Sequence, residues 1–578
     1  MDQPKPHSLL VDPAWSVSRG IPLAEEQGIG ALTLGGYIRE VAERFGPREA
    51  AMIELDGKAV RWTYDDLFAQ AMGVARSLAA IGVGKGTRVG ILATNRLEFL
   101  ACLFGTALAG GVATTISTFF TASELDDVLK ASCCSVLLLE RRVLKKDFAE
   151  MLAELEPRVT TAAPGELSSL RYPFLHHLAL VDSDEPFGTI EGWSSFLARG
   201  EAVPVELVDA MGAAVAPSDP GLLKFSSGST GKVKGILSAH RGVCLQLWRW
   251  KIWYAIEQPP RTWSANGFFW SGNFAMAIGS TLSSGGCLVL QRWFDADEAL
   301  SLMEREKVDM LIAWPHQWAQ LEASPNYLTT DLSRLHYLDR DTLVARHPTV
   351  HTNWQENRWA YGNTETFTLI TVYPACSPPE LTGTSHGIPT AGSTVKIVDP
   401  LTGETMPLGG RGEIAVKGPT LMLGYVGIPL DQSLDADGFL RCGDGGYMDE
   451  LGRLYWEGRL NDIIKTGGAN VSPIEIDETI RLCPGVKVSQ TVGVPDDLLG
   501  ELVVGCIVLQ DDAVLDEDAI KAFARQKLAS YKVPRRVLFF AEDELKTTGS
   551  AKIKTADLRK LAAERLAAEA EGVVDHAH

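Results

Sequence analysis

The residues best suited to phosphate chemistry lie in one stretch, residues 225–235, with the sequence Phe-Ser-Ser-Gly-Ser-Thr-Gly-Lys-Val-Lys-Gly. Hydroxyl side chains and glycines alternate there. Such a loop offers backbone N–H groups, hydroxyl donors and mobile cations to a polyphosphate, and glycine lets the backbone approach an oxyanion closely. The stretch predicts a phosphate-binding loop, whose residues by type and spacing are Ser226, Ser227, Gly228, Ser229, Thr230, Gly231, Lys232 and Lys234.

This loop differs from the Walker A loop of P-loop nucleotide hydrolases and kinases. A Walker A loop has a glycine five residues before its Gly-Lys pair and a Ser or Thr directly after the lysine. Here Ser226 and Val233 occupy those two positions. The P-loop class is therefore excluded, although the phosphate prediction stands.

Composition limits the partners that the chain can have. With 578 residues, 46% of them apolar and 22% charged, it reads as a globular protein of two or more domains. The net charge is −19, and the sequence contains no long lysine- or arginine-rich block. This balance argues against nucleic acid and against a basic membrane patch, so an anionic ligand must be met by a local positive pocket.

Targeting signals and membrane segments are not predicted. The N-terminus, Met-Asp-Gln-Pro-Lys-Pro, has neither the basic region nor the apolar core of a signal peptide. The longest apolar run, at about 99–116, is interrupted by glycines and predicts a buried helix followed by a turn. Nine cysteines are scattered without C-x-x-C spacing, which indicates reduced thiols and a cytoplasmic protein.

The elements that must position the loop alternate between strand and helix. Residues 87–93 predict a strand, 97–108 a buried helix, and 135–139 and 177–181 further buried strands. This order predicts a layered α/β body with helices covering the sheets. From about residue 395 the pattern changes to short strands between glycine turns, which predicts a β-rich subdomain, with strands at 395–398, 412–416 and 454–456.

The C-terminal part of the sequence predicts a small α+β unit. Ser472-Pro-Ile-Glu475 has the residues of a capping box, with Pro at the first helical position. A strand is predicted at 503–509, a helix near 517–528 and a strand at 537–540. The tail from residue 555 is rich in Ala, Glu and Arg, which predicts a last helix.

Several further motifs follow the phosphate loop in a fixed order. They are Tyr-Gly-Asn-Thr-Glu at 361–365, Gly-Glu-Ile-Ala-Val-Lys-Gly-Pro from 412, Cys-Gly-Asp-Gly-Gly-Tyr at 442–447, Gly-Arg-Leu-Asn-Asp at 458–462 and Lys-Thr-Thr-Gly-Ser-Ala-Lys-Ile at 546–553. Together, from about residue 63 to residue 559, they resemble the adenylate-forming acyl-CoA synthetase family. That family also includes firefly luciferase and the adenylation domains of peptide synthetases.

The resemblance implies roles for the nucleotide-binding residues. Tyr361 would pack on adenine, Thr364 would reach a phosphate, and Glu365 would hold Mg²⁺, a hard cation that takes carboxylate and phosphate oxygens. Asp444 matches the ribose-binding aspartate of the family, whose carboxylate can accept hydrogen bonds from both sugar hydroxyls. Arg459, which is always charged, suits a ribose or phosphate contact.

The resemblance also implies a mobile C-terminal domain. It predicts an N-terminal ATP- and acyl-binding domain at 1–458, a hinge at 459–461 that contains Asn461, and a C-terminal lid domain at 462–578. Lys552 would be the catalytic lysine of adenylation, withdrawn when the small domain rotates. Gly467 and Gly468 would then leave room for the pantetheine thiol of CoA. Val233, Asn461 and Ala551 depart from the residues usual in the family.

The candidates for an acyl pocket are aromatic residues. By the resemblance, Trp270 stands where a histidine is common, which makes Trp270 and its neighbour Phe269 candidates for the pocket wall. Phe268 and three tryptophans at 248, 250 and 253 also fall near expected pocket elements. These aromatic residues indicate a large apolar acid, either a fatty chain or an aromatic or polycyclic acid, with the alternative that several of them pack the core.

The resemblance implies an ATP- and Mg²⁺-dependent carboxylic acid:CoA ligase, in which an acyl-AMP intermediate precedes the CoA thioester. Its partners would be small molecules only, with a homodimer left open. Three alternatives also stay open at this point. They are a ligase that loads a carrier protein, a luciferase-like oxygenase, and a non-catalytic nucleotide-binding homologue.

Overall fold

The structure of the protein is a computed structural model that describes residues 10–227, 233–356, 359–460, 462, 464–466, 469–496, 499–528, 532–545 and 553–575. Two compact units emerge from it. The first contains residues 19–394 and 416–440, and the second contains residues 11–18, 395–415 and 441–578. Within the described ranges, no helix has both the length and the apolar character needed to cross a membrane.

An eight-stranded sheet forms the centre of the first unit. Six of its strands are parallel neighbours, and two antiparallel strands complete one edge. In spatial order the strands are Ile190–Glu191, His177–Leu180, Val136–Leu139, Arg88–Leu92, Val112–Thr115, Pro220–Ser227, Val233–Ala239 and Gly424–Tyr425. The strands predicted at 87–93, 135–139 and 177–181 are thereby confirmed.

The helix Leu97–Leu108 lies in the main core of this unit, as its apolar sequence predicts. Every residue of the helix except Glu98 is buried. Gly105 permits this packing because a Cβ atom there would come within 2.7 Å of Ala71 O and of the Val74 side chain, both on the helix Tyr64–Ala80. The two helices therefore approach each other at the glycine.

A five-stranded sheet, a three-stranded sheet and a small hairpin of Arg142–Val143 and Lys146–Asp147 also belong to this unit. The five-stranded sheet has the order Met310–Ile312, Arg261–Ser264, Cys287–Leu290, Glu49–Leu55 and Lys58–Thr63, and the three-stranded sheet Tyr361–Asn363, Thr368–Val372 and Ile388–Pro389. The other long helices of the unit are Leu34–Phe45, Ala122–Ser132, Phe148–Leu155, Val205–Ala213, His240–Trp253, Ala296–Arg305 and Pro315–Ala323. The result is the layered α/β body expected from the sequence.

The second unit contains two sheets. The β-rich part, predicted from residue 395 onward, is a six-stranded sheet of Leu10–Val11, Val17–Arg19, Thr394–Val398, Gly412–Lys417, Leu440–Met448 and Leu454–Arg459. The α+β part has strands Ala469–Val471, Ile464–Thr466, Gly500–Leu509, Val486–Asp496 and Arg536–Phe539, with helices Pro473–Arg481, Glu517–Arg525 and Thr555–Asp575. Every element predicted here from the sequence is present.

One local prediction in this unit is wrong. The helix begins at Pro473 after Ser472, as expected, but the Ser472 side chain makes no capping hydrogen bond. Its hydroxyl donates instead to the carbonyl oxygen of Glu457 at 2.5 Å. Glu475 accepts hydrogen bonds from the Lys532 ammonium at 2.6 and 2.7 Å. Both side chains of the predicted capping box therefore make tertiary contacts instead of capping the helix.

Candidate active site

A hairpin holds both ends of the predicted phosphate loop. The strands Pro220–Ser227 and Val233–Ala239 are antiparallel, with Ser226 opposite Lys234 and Ser227 opposite Val233. The first of these strands is also parallel to Val112–Thr115 inside the large sheet. Gly228, Ser229, Thr230, Gly231 and Lys232 lie outside the described residues. The hairpin brings the two ends of the loop together at the edge of the sheet.

Three side chains from distant parts of the sequence meet beside this hairpin. The Tyr425 hydroxyl donates to Oε1 of Glu365 at 2.7 Å. The ammonium of Lys234 lies 5.3 Å from the centroid of the Tyr425 ring, within the range of a cation–π contact. All three residues are half-buried. The cluster therefore combines a carboxylate with a nearby cation, both partly accessible to a ligand.

The short strand Gly424–Tyr425 is what joins the parts of this cluster. It pairs with Val233–Ala239, with Ile236 opposite Tyr425. Just before it, the Met422 N–H donates to the carbonyl oxygen of Glu365 at 2.7 Å. The backbone of 422–425 thus connects the phosphate-loop hairpin to the turn that carries Glu365.

The turn that carries Thr364 and Glu365 has an unusual backbone. The strands Tyr361–Asn363 and Thr368–Val372 flank a short 3₁₀ turn at Thr364–Thr366, in which the Asn363 side chain accepts the N–H of Thr366 at 2.9 Å. Phe367 and Thr368 follow with φ of +55° and +137°. Positive φ is costly for residues with a Cβ atom and persists where the surroundings impose it, often at functional sites. Tyr361, the first residue of the strand that leads into the turn, is buried.

Glu365 is suited to hold a metal ion that arrives with a nucleotide. Its carboxylate accepts one hydrogen bond from Tyr425, and an ionised carboxylate can accept several. Across the residues that the structure describes, no three His, Cys, Asp or Glu side chains converge on a metal position. This arrangement fits Mg²⁺, which is commonly bound by one or two carboxylates together with substrate phosphates.

In the second unit, Asp444 and Arg459 form a cross-strand pair. They lie opposite each other on the strands Leu440–Met448 and Leu454–Arg459, and Arg459 Nε is 3.2 Å from Asp444 Oδ1. The Asp444 carboxylate is almost completely buried, whereas 54% of the Arg459 side chain is exposed. The pair therefore presents its cationic end to solvent and holds its carboxylate in a fixed position.

A second carboxylate supports the backbone next to Asp444. Gly443 has φ of +69°, a conformation that favours glycine, and its N–H donates to Oε1 of Glu413 at 2.9 Å. Arg441 pairs with the same Glu413 side chain. Arg459 also donates to the carbonyl oxygen of Cys442 at 2.7 Å. These contacts fix the 442–444 backbone, which carries the residue predicted to bind ribose.

Phe269 and Trp270 lie together with a third aromatic residue that the sequence did not indicate, Phe119. The ring centroids are 5.1 Å apart for Phe269 and Trp270, 5.6 Å for Phe119 and Phe269, and 5.8 Å for Phe119 and Trp270. Phe269 is buried, Trp270 is half-buried and Phe119 is 54% exposed. We refer to Phe119, Phe269 and Trp270 as the aromatic cluster.

A set of buried amides supports the backbone under this cluster. Asn95 donates to the carbonyl oxygen of Asn266 at 2.7 Å and accepts from the N–H of Phe268 at 2.9 Å. Asn273 donates to the same carbonyl oxygen, and Gln317 donates to the Asn266 side chain at 3.2 Å. The loop at 266–270 is thus held from several separate elements, as a precise binding surface requires.

The tryptophans at 248, 250 and 253 do not join the aromatic cluster. They belong to the buried helix His240–Trp253 and lie in the main core. Trp248 packs on Tyr37 with centroids 4.8 Å apart, and Trp250 packs on Trp253 at 5.3 Å. Phe268 is also in this core, beside Phe99. These four residues therefore pack the core, the alternative that the sequence left open for them, and they lend no support to a large acid.

Several predicted site residues lie outside the described part of the chain. Besides the centre of the phosphate loop, they are Asn461 of the predicted hinge, Gly467 and Gly468, Ala551, and the predicted catalytic Lys552. Asp462, which is described, has a half-buried carboxyl whose pKa is raised by desolvation. The roles of all these residues stay predictions.

Comparison with known proteins decides the family. The profile of the AMP-binding enzyme family matches residues 38–426, and that of the AMP-binding enzyme C-terminal domain matches residues 475–552. The chain belongs to the AMP-binding enzyme family. The resemblance that the sequence motifs indicated is therefore confirmed. The predicted limits at residues 458 and 462 stay a prediction for this AMP-binding enzyme.

The alignments with individual relatives cover most of this chain. A 3-[(3aS,4S,7aS)-7a-methyl-1,5-dioxo-octahydro-1H-inden-4-yl]propanoyl:CoA ligase of Mycobacterium tuberculosis is 30% identical over 89% of this chain and 96% of its own. A feruloyl-CoA synthase of an Amycolatopsis species is 30% identical, covering 86% and 93% of the two chains.

Solved structures share the fold. The crystal structure of the anthranilate CoA ligase AuaEII in complex with anthranoyl-AMP has a TM-score of 0.74 and 22% identity, and the match covers 94% of this chain and 99% of that one. The predicted fold class, a large α/β N-terminal domain followed by a small α+β C-terminal domain, is confirmed.

Proposed function

We propose that the protein is an ATP-dependent carboxylic acid:CoA ligase that forms an acyl-AMP intermediate and then an acyl-CoA thioester, with AMP and pyrophosphate as the other products. The observation that carries this proposal is the family match over both parts of the chain, in agreement with relatives that are named CoA ligases or synthases. The clusters around Glu365 and Asp444 support it chemically.

Adenylation requires two anions to meet. A carboxylate oxygen attacks the α-phosphorus of ATP, and the bond to the pyrophosphate oxygen breaks. The protein must neutralise charge and align the reactants, which are the largest sources of rate enhancement in such a step. Lys234, on the second strand of the phosphate-loop hairpin, would supply one cation, and Lys552 would supply another. Thr364 would donate its hydroxyl to a phosphate oxygen.

Glu365 would hold Mg²⁺ on the nucleotide, and the bound ion would supply positive charge at the phosphates. Tyr425 contributes by orienting the Glu365 carboxylate through the hydrogen bond to Oε1, which leaves the other oxygen for the ligand. Without that orientation, the carboxylate could rotate away from a bound nucleotide. We therefore assign Tyr425 to this site as a positioning residue.

Asp444 and Arg459 would bind the ribose part of the nucleotide. The buried Asp444 carboxylate is held by Arg459 and by a backbone that Glu413 supports, so it is ordered before a sugar arrives. Preorganisation of this kind reduces the entropy lost on binding. Tyr361, which is buried, would contact adenine.

The second half-reaction transfers the acyl group to sulfur. The thiol of CoA loses its proton, its sulfur attacks the acyl carbonyl carbon, and AMP leaves. We propose that Gly467 and Gly468 border the path of the thiol and that rotation about 459–461 brings them into use, as in domain-closure mechanisms. A carrier-protein thiol is the alternative acceptor.

We propose a bulky, ring-containing acid as the substrate. The relatives at 30% identity are named for a bicyclic propanoic acid and for ferulate. The aromatic cluster supports the same class, because Phe119 and Trp270 offer partly exposed ring surface on which a planar or polycyclic apolar group can pack. We propose a cytoplasmic location for the protein.

Pyrophosphate release from Mg-ATP tests this proposal, measured over acetate, octanoate, benzoate and 4-hydroxycinnamate with and without CoA. We expect acid-dependent release that CoA accelerates and that falls at least a hundredfold in Lys552→Ala. If a phosphopantetheinyl carrier protein accelerated the release of pyrophosphate and CoA did not, the protein would be the carrier-loading ligase. If no acid gave release, or Lys552→Ala retained full activity, the proposal would be wrong.

A further inference from the structure

Two lysines hold the two loops that carry the aromatic cluster. Lys224 lies on the strand Pro220–Ser227, and Lys146 on the strand Lys146–Asp147 of a small hairpin. Neither residue belongs to a motif that resembles the family, and the sequence alone gives no reason to single out either of them. The ammonium group of each lysine contacts backbone carbonyl oxygens in a loop of the cluster rather than a carboxylate.

Lys224 holds the loop of Phe269 and Trp270. Its ammonium is within hydrogen-bond distance of the carbonyl oxygens of Phe268 and Phe269, at 3.3 and 3.0 Å, and of Thr115 Oγ1 at 3.1 Å. It also lies 4.6 Å from the centroid of the Phe274 ring. A lysine ammonium has three N–H donors, so these three oxygens use all of them.

The setting of Lys224 is unusual for a lysine. The residue is buried, and no carboxylate of the described residues forms an ion pair with it. Burial lowers the pKa of Lys224 well below its ordinary value. Even the neutral amine keeps two N–H donors, so the contacts to the loop do not depend on the charge alone. An apolar residue would avoid the cost of burying this group, which indicates that the contacts matter.

Lys146 holds the loop of Phe119 in the same manner. Its ammonium donates to the consecutive carbonyl oxygens of Thr118, Phe119 and Phe120, at 3.0, 2.8 and 2.9 Å. Lys146 uses all three donors on its loop, whereas Lys224 uses two on its loop and one on Thr115. Partial burial lowers the pKa of Lys146. The side chain fixes the backbone from which Phe119 extends toward Phe269 and Trp270.

We propose that Lys224 and Lys146 are positioning residues that set the geometry of the aromatic cluster and thereby determine which acids the protein accepts. This inference rests on the proposed function, because it assigns the aromatic cluster to the acid site. Each lysine fixes one loop, and the rings of Phe119, Phe269 and Trp270 bring the two loops into contact. Loss of either lysine shifts the rings on one side of the cluster.

Four variants and one control test the proposal. Lys224→Met and Lys146→Met keep most of the alkyl chain and remove the donors, and Lys224→Gln is a polar second choice should Lys224→Met fail to fold. Lys146→Arg retains donors. Lys145→Met is the matched control, because Lys145 is exposed and lies next to Lys146 on the same hairpin turn. The KM for each acid and the KM for ATP are measured separately with the acid panel above.

We expect Lys224→Met to raise the KM for the best ring-containing acid at least tenfold and Lys146→Met to raise it about fivefold, with the KM for ATP and the KM for acetate within twofold of wild type. Lys146→Arg and Lys145→Met should stay within twofold of wild type throughout. A fifth variant, which combines Lys224→Met with Lys146→Met, should lose less than the product of the single losses, since both lysines act on one cluster. A uniform loss for all acids, an equal rise in the KM for ATP, or unchanged acid preference would overturn the inference.

Direct binding of the acids separates this inference from the proposed function. Calorimetric titration of the full-length protein with benzoate and 4-hydroxycinnamate needs no turnover. If the wild type is inactive with every acid, yet binds them and the methionine variants bind them at least fivefold more weakly, the proposed function falls and the role of the lysines stands. If the wild type is active and the variants bind as it does, only the role of the lysines falls.

Discussion

The two compact units hold their predicted site residues in different ways. In the first unit, Lys234, Glu365 and Tyr425 come from three stretches that are far apart in sequence and meet through long-range backbone pairing. In the second unit, Asp444 and Arg459 lie opposite each other on one hairpin. Register alone places the second pair, whereas the first cluster depends on the packing of the whole unit. A substitution in the first cluster should therefore reduce activity more than a substitution in the second pair.

The units also differ in their buried titratable groups. In the first, His240 is buried and accepts the Leu34 N–H at 3.2 Å, and burial lowers its pKa to about 4. In the second, Asp477 is buried and burial raises its pKa to about 7. The neutral form is favoured in both cases. A fall in pH should therefore lower the stability of the first unit through His240, and a rise in pH should lower the stability of the second unit through Asp477.

The largest effect is expected at Glu365. Glu365→Gln keeps the shape of the side chain and removes the negative charge proposed to hold Mg²⁺, so kcat/KM for ATP should fall about a hundredfold to a thousandfold. The fall in kcat/KM is measured as acid-dependent pyrophosphate release over a range of Mg²⁺ concentrations. Glu380→Gln, at an exposed position of the same unit, is the control and should stay within twofold of wild type. Equal activity of the two variants would remove Glu365 from the site.

Asp477 should give the second unit a pH dependence of its own. The folded carboxyl stays protonated up to about pH 7, while the unfolded one ionises near its ordinary pKa of 3.8. Its contribution to stability is therefore complete below that value and is lost as the pH rises through about 7. We expect the free energy of opening to fall by about 2 to 3 kcal/mol between pH 5 and pH 8.

Hydrogen exchange in the strand Val486–Asp496, corrected for the intrinsic rate at each pH, measures this fall. Asp477→Asn keeps acceptor capacity for Ser489 and Thr491 and should abolish the pH dependence, whereas Asp518→Asn, at an exposed position, should leave it unchanged. In the first unit, protection near His240 should fall instead as the pH drops from 6.5 toward 4. The same pH trend in both units would contradict the contrast between them.

A smaller effect is expected from the hairpin pair. Asp444→Asn should raise the KM for ATP about tenfold, because the proposed ribose contact loses its charged acceptor. Arg459→Met should act through the same contact, since Arg459 holds the carboxylate at 3.2 Å. A double-mutant cycle of the two changes measures their coupling. Fully additive effects would show that the arginine acts separately from the aspartate.

The smallest effect is expected from Tyr425→Phe. The change removes the hydroxyl that orients Glu365 and retains the ring beside Lys234, so kcat should fall about threefold with little change in the KM for ATP. In the Glu365→Gln background the same change should have no further effect, because the carboxylate it orients is absent. A full threefold loss in that background would mean that Tyr425 has a role independent of Glu365.

Much of the fold could be predicted from local pattern. The helix Leu97–Leu108 and the strand Arg88–Leu92 follow from runs of apolar residues and from their lengths. The capping box predicted at Ser472 is absent, because its hydroxyl donates to the carbonyl oxygen of Glu457, a contact that no local pattern indicates. The core position of the tryptophans at 248, 250 and 253 could not be predicted for a similar reason, since no local pattern distinguishes a core tryptophan from one in a pocket.

The sequence by itself determined the family, the order of the motifs and the residue types at the nucleotide site, because these lie in short segments whose chemistry is local. Only the tertiary structure decided which distant residues join them. Tyr425 reaches Glu365, Phe119 reaches Trp270, and Lys224 and Lys146 reach loops far along the chain. Such contacts come from the pairing and packing of sheets, which bring together segments that no local pattern relates.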